Sequence, residues 1–167
     1  MLLRRERPDD ADAIRNVQRA AFADPERDHG RLVDDLRADG DIVPGLSLVA
    51  ELDGEIAGHV VCSRATVDGR ACLALGPIGV VPSHQRSGIG SALMHAVIAA
   101  ADALDEPAIV LLGHPSYYPR FGFEPAADHG VTPPEDWGRD VFMVRRLSAW
   151  AGTLRGTFRY APAFERM

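Results

Sequence analysis

Two Asp-Gly pairs, Asp53-Gly54 and Asp68-Gly69, each separate apolar runs, and nothing else in the chain restricts its fold as much. A two-residue hairpin turn of the primed type needs φ > 0 at both central residues, which Asp tolerates and Gly adopts freely. Leu46–Leu52, Glu55–Val67 and Arg70–Val81 therefore read as an antiparallel meander, with Leu52 pairing Glu55 and Val67 pairing Arg70. That register puts Leu46, Leu48 and Ala50 on one face with Val61, His59 and Ala57, while Val49 joins Ile56 and Val60 on the other. Both faces are apolar, so helices are expected over both. His59, among leucines, reads as a satisfied core histidine. Cys62 falls opposite Leu75 and Cys72 opposite Ala65, an odd offset that sends the sulfurs to opposite faces as free buried thiols.

Before the meander, Leu2–Arg7 reads as a short strand and Pro8-Asp9-Asp10 as the cap of a helix Ala11–Phe22 with Ile14, Val17, Ala21 and Phe22 on one side. A polar loop through Asp24, Pro25 and Glu26 leads to a helix His29–Asp39, closed by Gly40, with Leu32, Val33 and Leu36 as its apolar stripe. After the meander comes a helix over Gly88–Leu104 that repeats Ile89, Leu93, Val97 and Ala100. Ala108–Leu112 reads as a buried strand parallel to the one before that helix. Pro115–Gly122 reads as a turn with one short helix, and Val141–Arg146 as a late strand. Residues 1–147 form the expected domain. Residues 148–167 read as a tail punctuated by Trp150, Phe158, Tyr160 and Phe164, packing on the domain or on a dimer partner.

Between the third meander strand and the long helix lies Gln85-Arg86-Ser87-Gly88-Ile89-Gly90. Its glycines bare the backbone, and the first N–H groups of the following helix lack partners at the positive end of the helix dipole, so a diphosphate is a natural guest. From Gly69 to Ala101 there is no Asp or Glu, where the chain's 24 acidic residues would place about five. Buried strands and helix faces exclude acids anyway; the gap gains weight beside the loop.

All 18 basic residues are Arg, which excludes lysine Schiff-base chemistry and a lysine-dependent phosphate loop. The net charge of −6 argues against broad nucleic-acid binding. The absence of an apolar leader or an 18-residue apolar run points to a cytoplasmic protein away from membranes. No Cys/His spacing suggests a metal. A dinucleotide fingerprint fails because Leu93 stands where its third glycine should be.

The order strand, Gln-Arg-x-Gly-x-Gly, helix, strand, Tyr-x-x-x-Gly-Phe resembles the GNAT superfamily of acyl-CoA-dependent N-acetyltransferases. The specific segments are Leu75–Pro82, Gln85–Gly90 and Tyr117–Phe123, and Arg155–Phe164 is similar to a branch of uncharacterised members. The resemblance implies an α/β (α+β) fold with a mixed, mostly antiparallel sheet splayed after its fourth strand and helices on both faces. It implies acetyl-CoA as cosubstrate without a metal. Gln85, Arg86, Ser87, Gly88, Ile89 and Gly90 would hold the pyrophosphate, and the peptide edges of Ile78 and Val80 the pantetheine arm. Arg86 would add a charge contact, or stand as a solvated loop arginine.

Tyr118 takes the family's general-acid position, protonating the departing thiolate; the competing reading is a packing aromatic. Tyr117 reads as structural. The strand acid that serves many relatives as base is absent here, leaving His59, His114, Asp28 and Glu51 as candidates, each with a structural or surface reading beside it. The acceptor, a small-molecule or peptide amine, would enter between Phe22–His29 and Ala126–Trp137. The implied activity is transfer of acetyl to a primary amine by direct attack; the alternative is a silent acyl-CoA sensor.

Overall fold

The computed structural model describes residues 1–167. Its elements follow the chain as β1 (Leu2–Arg5), α1 (Ala11–Phe22), α2 (His29–Asp39), β2 (Ile42–Leu52), β3 (Glu55–Val67), β4 (Arg70–Val80), α3 (Ile89–Ala103), β5 (Ala108–Leu112), β6 (Glu124–Pro125), β7 (Val131–Thr132), β8 (Phe142–Arg146) and β9 (Gly156–Arg159). The strands form one nine-stranded sheet whose main path runs β1-β2-β3-β4-β5-β8-β6; only β4–β5 and β7–β9 are parallel.

Both hairpins form as the dipeptides demand. Asp53 and Gly54 have φ of 50° and 85°, Asp68 and Gly69 45° and 79°, and Leu52 pairs Glu55 while Val67 pairs Arg70. Gly40 closes α2 at φ 77° as expected, and Asp28, not singled out as a cap in the sequence, accepts from the Arg31 N–H at its start. The cap expected of Asp10 is corrected: it makes no side-chain cap bond to α1, because its carboxylate accepts from the Arg7 N–H and from Arg4 instead. Cys62 and Cys72 are free and buried, in separate core clusters on the two faces.

The face assignment along β3 is corrected. Ala50 pairs Gly58 but Glu51 pairs Ile56, so Ala57 is an extra residue, a β-bulge. A bulge moves every later side chain to the other face. Leu46, Leu48 and Ala50 therefore share the α3 face with Ala57, Val60 and Cys62, while Val49 meets Val61, Ile14 and Val33 beneath α1 and α2. His59 leaves the leucines and turns toward α1. On the α3 face, Ile89, Leu93 and Val97 are buried as the periodicity predicts, and Met94, Ile98 and Ala101 widen the stripe.

The residues after Leu147 do more than trail. β9 pairs β3 at Thr66 and Val67, beyond the point where β2 has left that edge, and runs parallel to β7. The hairpin residue Asp68 captures it: its carboxylate accepts from the Thr157 N–H at 2.9 Å, and its own N–H donates to the Thr157 carbonyl at 3.0 Å. Phe158 is fully buried with Phe142, Val131 and Val67.

Candidate functional site

The site begins where β4 and β5 part. Their pairing covers only Leu73 with Ile109 and Ala74 with Val110. Just beyond, Gly76 and Pro77 stand against the single Val61 of β3, a second bulge, and Pro77 has no N–H to offer either neighbour. The strand bends and the gap opens. Past the bend, the Val81 N–H donates to the Ala57 carbonyl, so strand alternation turns the Gly79 peptide groups toward β3 and those of Ile78 and Val80 toward the gap. Consistently, the Val80 carbonyl accepts from the Gln85 side chain at 3.1 Å instead of from a strand.

The gap ends at the glycine loop. Arg86 and Gly88 take φ of 61° and 92°, Gly88 caps α3, and Ser87 Oγ ties the loop by donating to the His84 carbonyl at 2.5 Å. The first intrahelical bond is Ala92 N–H to Gly88 carbonyl, which leaves the N–H groups of Ile89, Gly90 and Ser91 without helical partners. No acid stands in this turn to neutralise it. Gln85, Arg86, Ser87 and Gly88 are exposed; the Ile89 side chain is buried and anchors the turn.

Across the gap, β5 leads into Gly113 and the turn Tyr118–Phe121. The Tyr118 ring lies on Gly113, where a Cβ would stand 2.2 Å from its Cε2, and packs edge-on against Tyr117 and Phe123. Burial, with Tyr117 beside it, pushes the Tyr118 phenol up to about 12. Tyr117 packs between this turn and the helix start. Its Oη reaches α3, 3.2 Å from where a Gly90 Cβ would be, and Arg120 lies over its ring at 4.7 Å.

On the sheet's other face, the last turns of α1 press on the bared strand. A Gly79 Cβ would meet Gln18 Oε1 at 2.6 Å and Ala21 Cβ at 2.9 Å. The next residue, Phe22, stacks on His29 with centroids 3.8 Å apart and planes within 10°. Sequence reasoning missed Gln18; a glycine inside an apolar strand was the available signal of close approach.

Three of the four base candidates are engaged elsewhere. His59 is fully buried, with Gln18 Nε2 at 2.8 Å from Nδ1 and Ser47 Oγ at 2.8 Å from Nε2. Burial lowers its pKa to about 4. Asp28 is held by Arg19, which lowers its carboxyl to about 2. Glu51 pairs with Arg4 from the outer strand β1, and His114 is exposed, its carbonyl accepting from the Tyr117 N–H.

Comparison with known proteins places this geometry. Residues 11–123 match the sequence model of the Acetyltransferase (GNAT) family. The chain is 35% identical over 165 residues to the uncharacterised N-acetyltransferase YjhQ of Escherichia coli K12, covering 93% of this chain and 90% of the relative. It is 32% identical to the uncharacterised N-acetyltransferase YhbS of the same strain over 99% of both. Among solved structures, E. coli YhbS in complex with CoA superposes with a TM-score of 0.91 at 33% identity, covering 99% of this chain and 92% of that one. A GNAT family acetyltransferase from Brucella melitensis in complex with acetyl-CoA gives 0.82 at 33% identity, covering 98% and 97%.

Proposed function

This chain belongs to the GNAT acetyltransferase family, and from that membership we propose that it moves acetyl from acetyl-CoA to a primary amine by direct attack in a ternary complex. The observation that carries the reading is the strand edge at Ile78 and Val80, unpaired on the β5 side and running into a glycine-bared helix start free of acids. The pantetheine amides would complete that edge as a missing strand would. The pyrophosphate would take the N–H groups from Gln85 to Gly90, with Arg86 adding charge.

The neutral amine attacks the thioester carbon, a C–N bond forms, and collapse breaks the C–S bond. Tyr118 donates its phenolic proton, or a hydrogen bond, to the departing sulfur. A phenol pushed up to about 12 stays protonated at neutral pH, ready to donate. The amine's surplus proton leaves through water, since His59, Asp28 and Glu51 are held by other partners. Residues 1–147 would carry this chemistry, with 148–167 bracing the sheet.

That missing base favours one second reading, a catalytically silent acyl-CoA sensor. Two measurements decide. Acetyl-CoA should raise the melting temperature by binding the native state; no shift and no calorimetric heat would end both readings. Thiol release from acetyl-CoA over a panel of amines should then show turnover, whereas tight binding with a persistent blank would leave the sensor.

A further inference from the structure

Arg145 stands on β8 opposite Ile109, in a strand whose neighbours Met143 and Leu147 face the α3 core. Strand alternation sends its side chain to the same face. There it reaches the turn that carries Tyr118. Nη1 donates to the Phe121 carbonyl at 2.6 Å, the last residue of that turn. Gly122 follows at φ 79°, and a Cβ on it would lie 1.9 Å from Nη1, so the guanidinium occupies the place of a side chain.

The arginine is spent on nothing else. No carboxylate lies within ion-pair distance of it, and its Nε is buried without a partner. Asp102, whose carboxyl is lowered by its bonds from Ser148 and in lesser part by the Arg145 charge, is occupied by the Ser148 N–H and Oγ. A part-buried cation with no counter-ion is costly, so its one strong contact is where a role must lie. The turn's final carbonyls have no partners within the turn, and a charged donor supplies one.

We propose that Arg145 is a positioning residue for Tyr118, pinning the far end of the turn so that the phenol is held on Gly113 at the mouth of the gap. This rests on the reading of Tyr118 as general acid. Gly122 then has a reason beyond its backbone conformation: it is the opening through which the guanidinium reaches the Phe121 carbonyl.

The test is a double-mutant cycle with Tyr118→Phe, read by thiol release from acetyl-CoA with the fastest amine of the panel and with water alone as acceptor. Arg145→Met should lower kcat about tenfold, in line with a small misplacement of a catalytic group, with KM for acetyl-CoA within about twofold. Arg145→Lys, which keeps a charged donor, should recover part of the loss. In the Tyr118→Phe background, Arg145→Met should cost almost nothing more. Should Arg145→Met fail to fold, Arg145→Lys and Arg145→Gln run the same cycle.

Additive losses, or a change confined to KM, overturn the inference while leaving Tyr118 as acid. A Tyr118→Phe enzyme with unaltered turnover, or a chain that releases no thiol with any acceptor, overturns both.

Discussion

Gln18 and Gly79 meet so closely that a methyl group on the glycine would stand 2.6 Å from the Gln18 side-chain oxygen. The contact joins α1 to the stretch of β4 beyond its pairing with β5, and Gln18 turns its amide nitrogen to His59. One carboxamide therefore sets both the strand's position and the orientation of the buried imidazole. Gly79→Ala should destabilise the fold by about 1–3 kcal/mol through overpacking and weaken acetyl-CoA binding measured by calorimetry. Gln18→Ala in the same chain should restore part of the affinity. Unchanged affinity in the single variant would show that the strand's path is set elsewhere.

Tyr118→Phe should reduce kcat by about 10²-fold, with acetyl-CoA affinity preserved, because it removes a proton donor from an otherwise intact ring stack. Stopped-flow thiol detection and calorimetry on the same preparation measure the two quantities. Loss of affinity in step with rate would make Tyr118 a binding residue instead.

His59 predicts an acid limb to stability. Ser47 Oγ also lies 2.5 Å from Glu6, a carboxylate that only accepts, so Ser47 gives its proton to Glu6 and His59 Nε2–H donates to Ser47. Gln18 donates to Nδ1, and the ring is neutral. The folded pKa of about 4 lies below the ordinary 6.5, so above pH 6.5 neither state carries the proton and the full stability is present. Between 6.5 and 4 only the unfolded chain takes it up, and stability falls by about 3 kcal/mol before levelling off. Urea unfolding at pH 7, 5.5 and 4.5 should show this slope in the native chain and a shallower one in His59→Gln. Parallel slopes would refute it.

Phe158→Ala should cost about 3–5 kcal/mol, the penalty for emptying a fully buried aromatic site. A loss under about 1 kcal/mol by urea midpoint would show that β9 adds little to the core.

The parts of this protein legible in its sequence are those whose cause is local. Asp53-Gly54 and Asp68-Gly69 dictate their turns through two φ angles each. Gly40 closes α2, and the run from Gln85 to Gly90 bares a helix start, whatever surrounds them. The bulge at Ala57, which moved His59 from the leucines to Gln18, arises where α3 presses on β3: a Gly58 Cβ would stand 2.9 Å from the Ile89 side chain. No periodicity within β3 reports that pressure. The capture of β9 by Asp68 and the passage of Arg145 over Gly122 likewise join residues far apart in the chain. Sequence alone determined the turns, the glycine end of α2 and the bared start of α3, because short-range sterics and hydrogen bonding decide them. Tertiary structure decided which face each core side chain occupies and which groups border Tyr118, because only packed neighbours choose among registers that the isolated strand would accept equally.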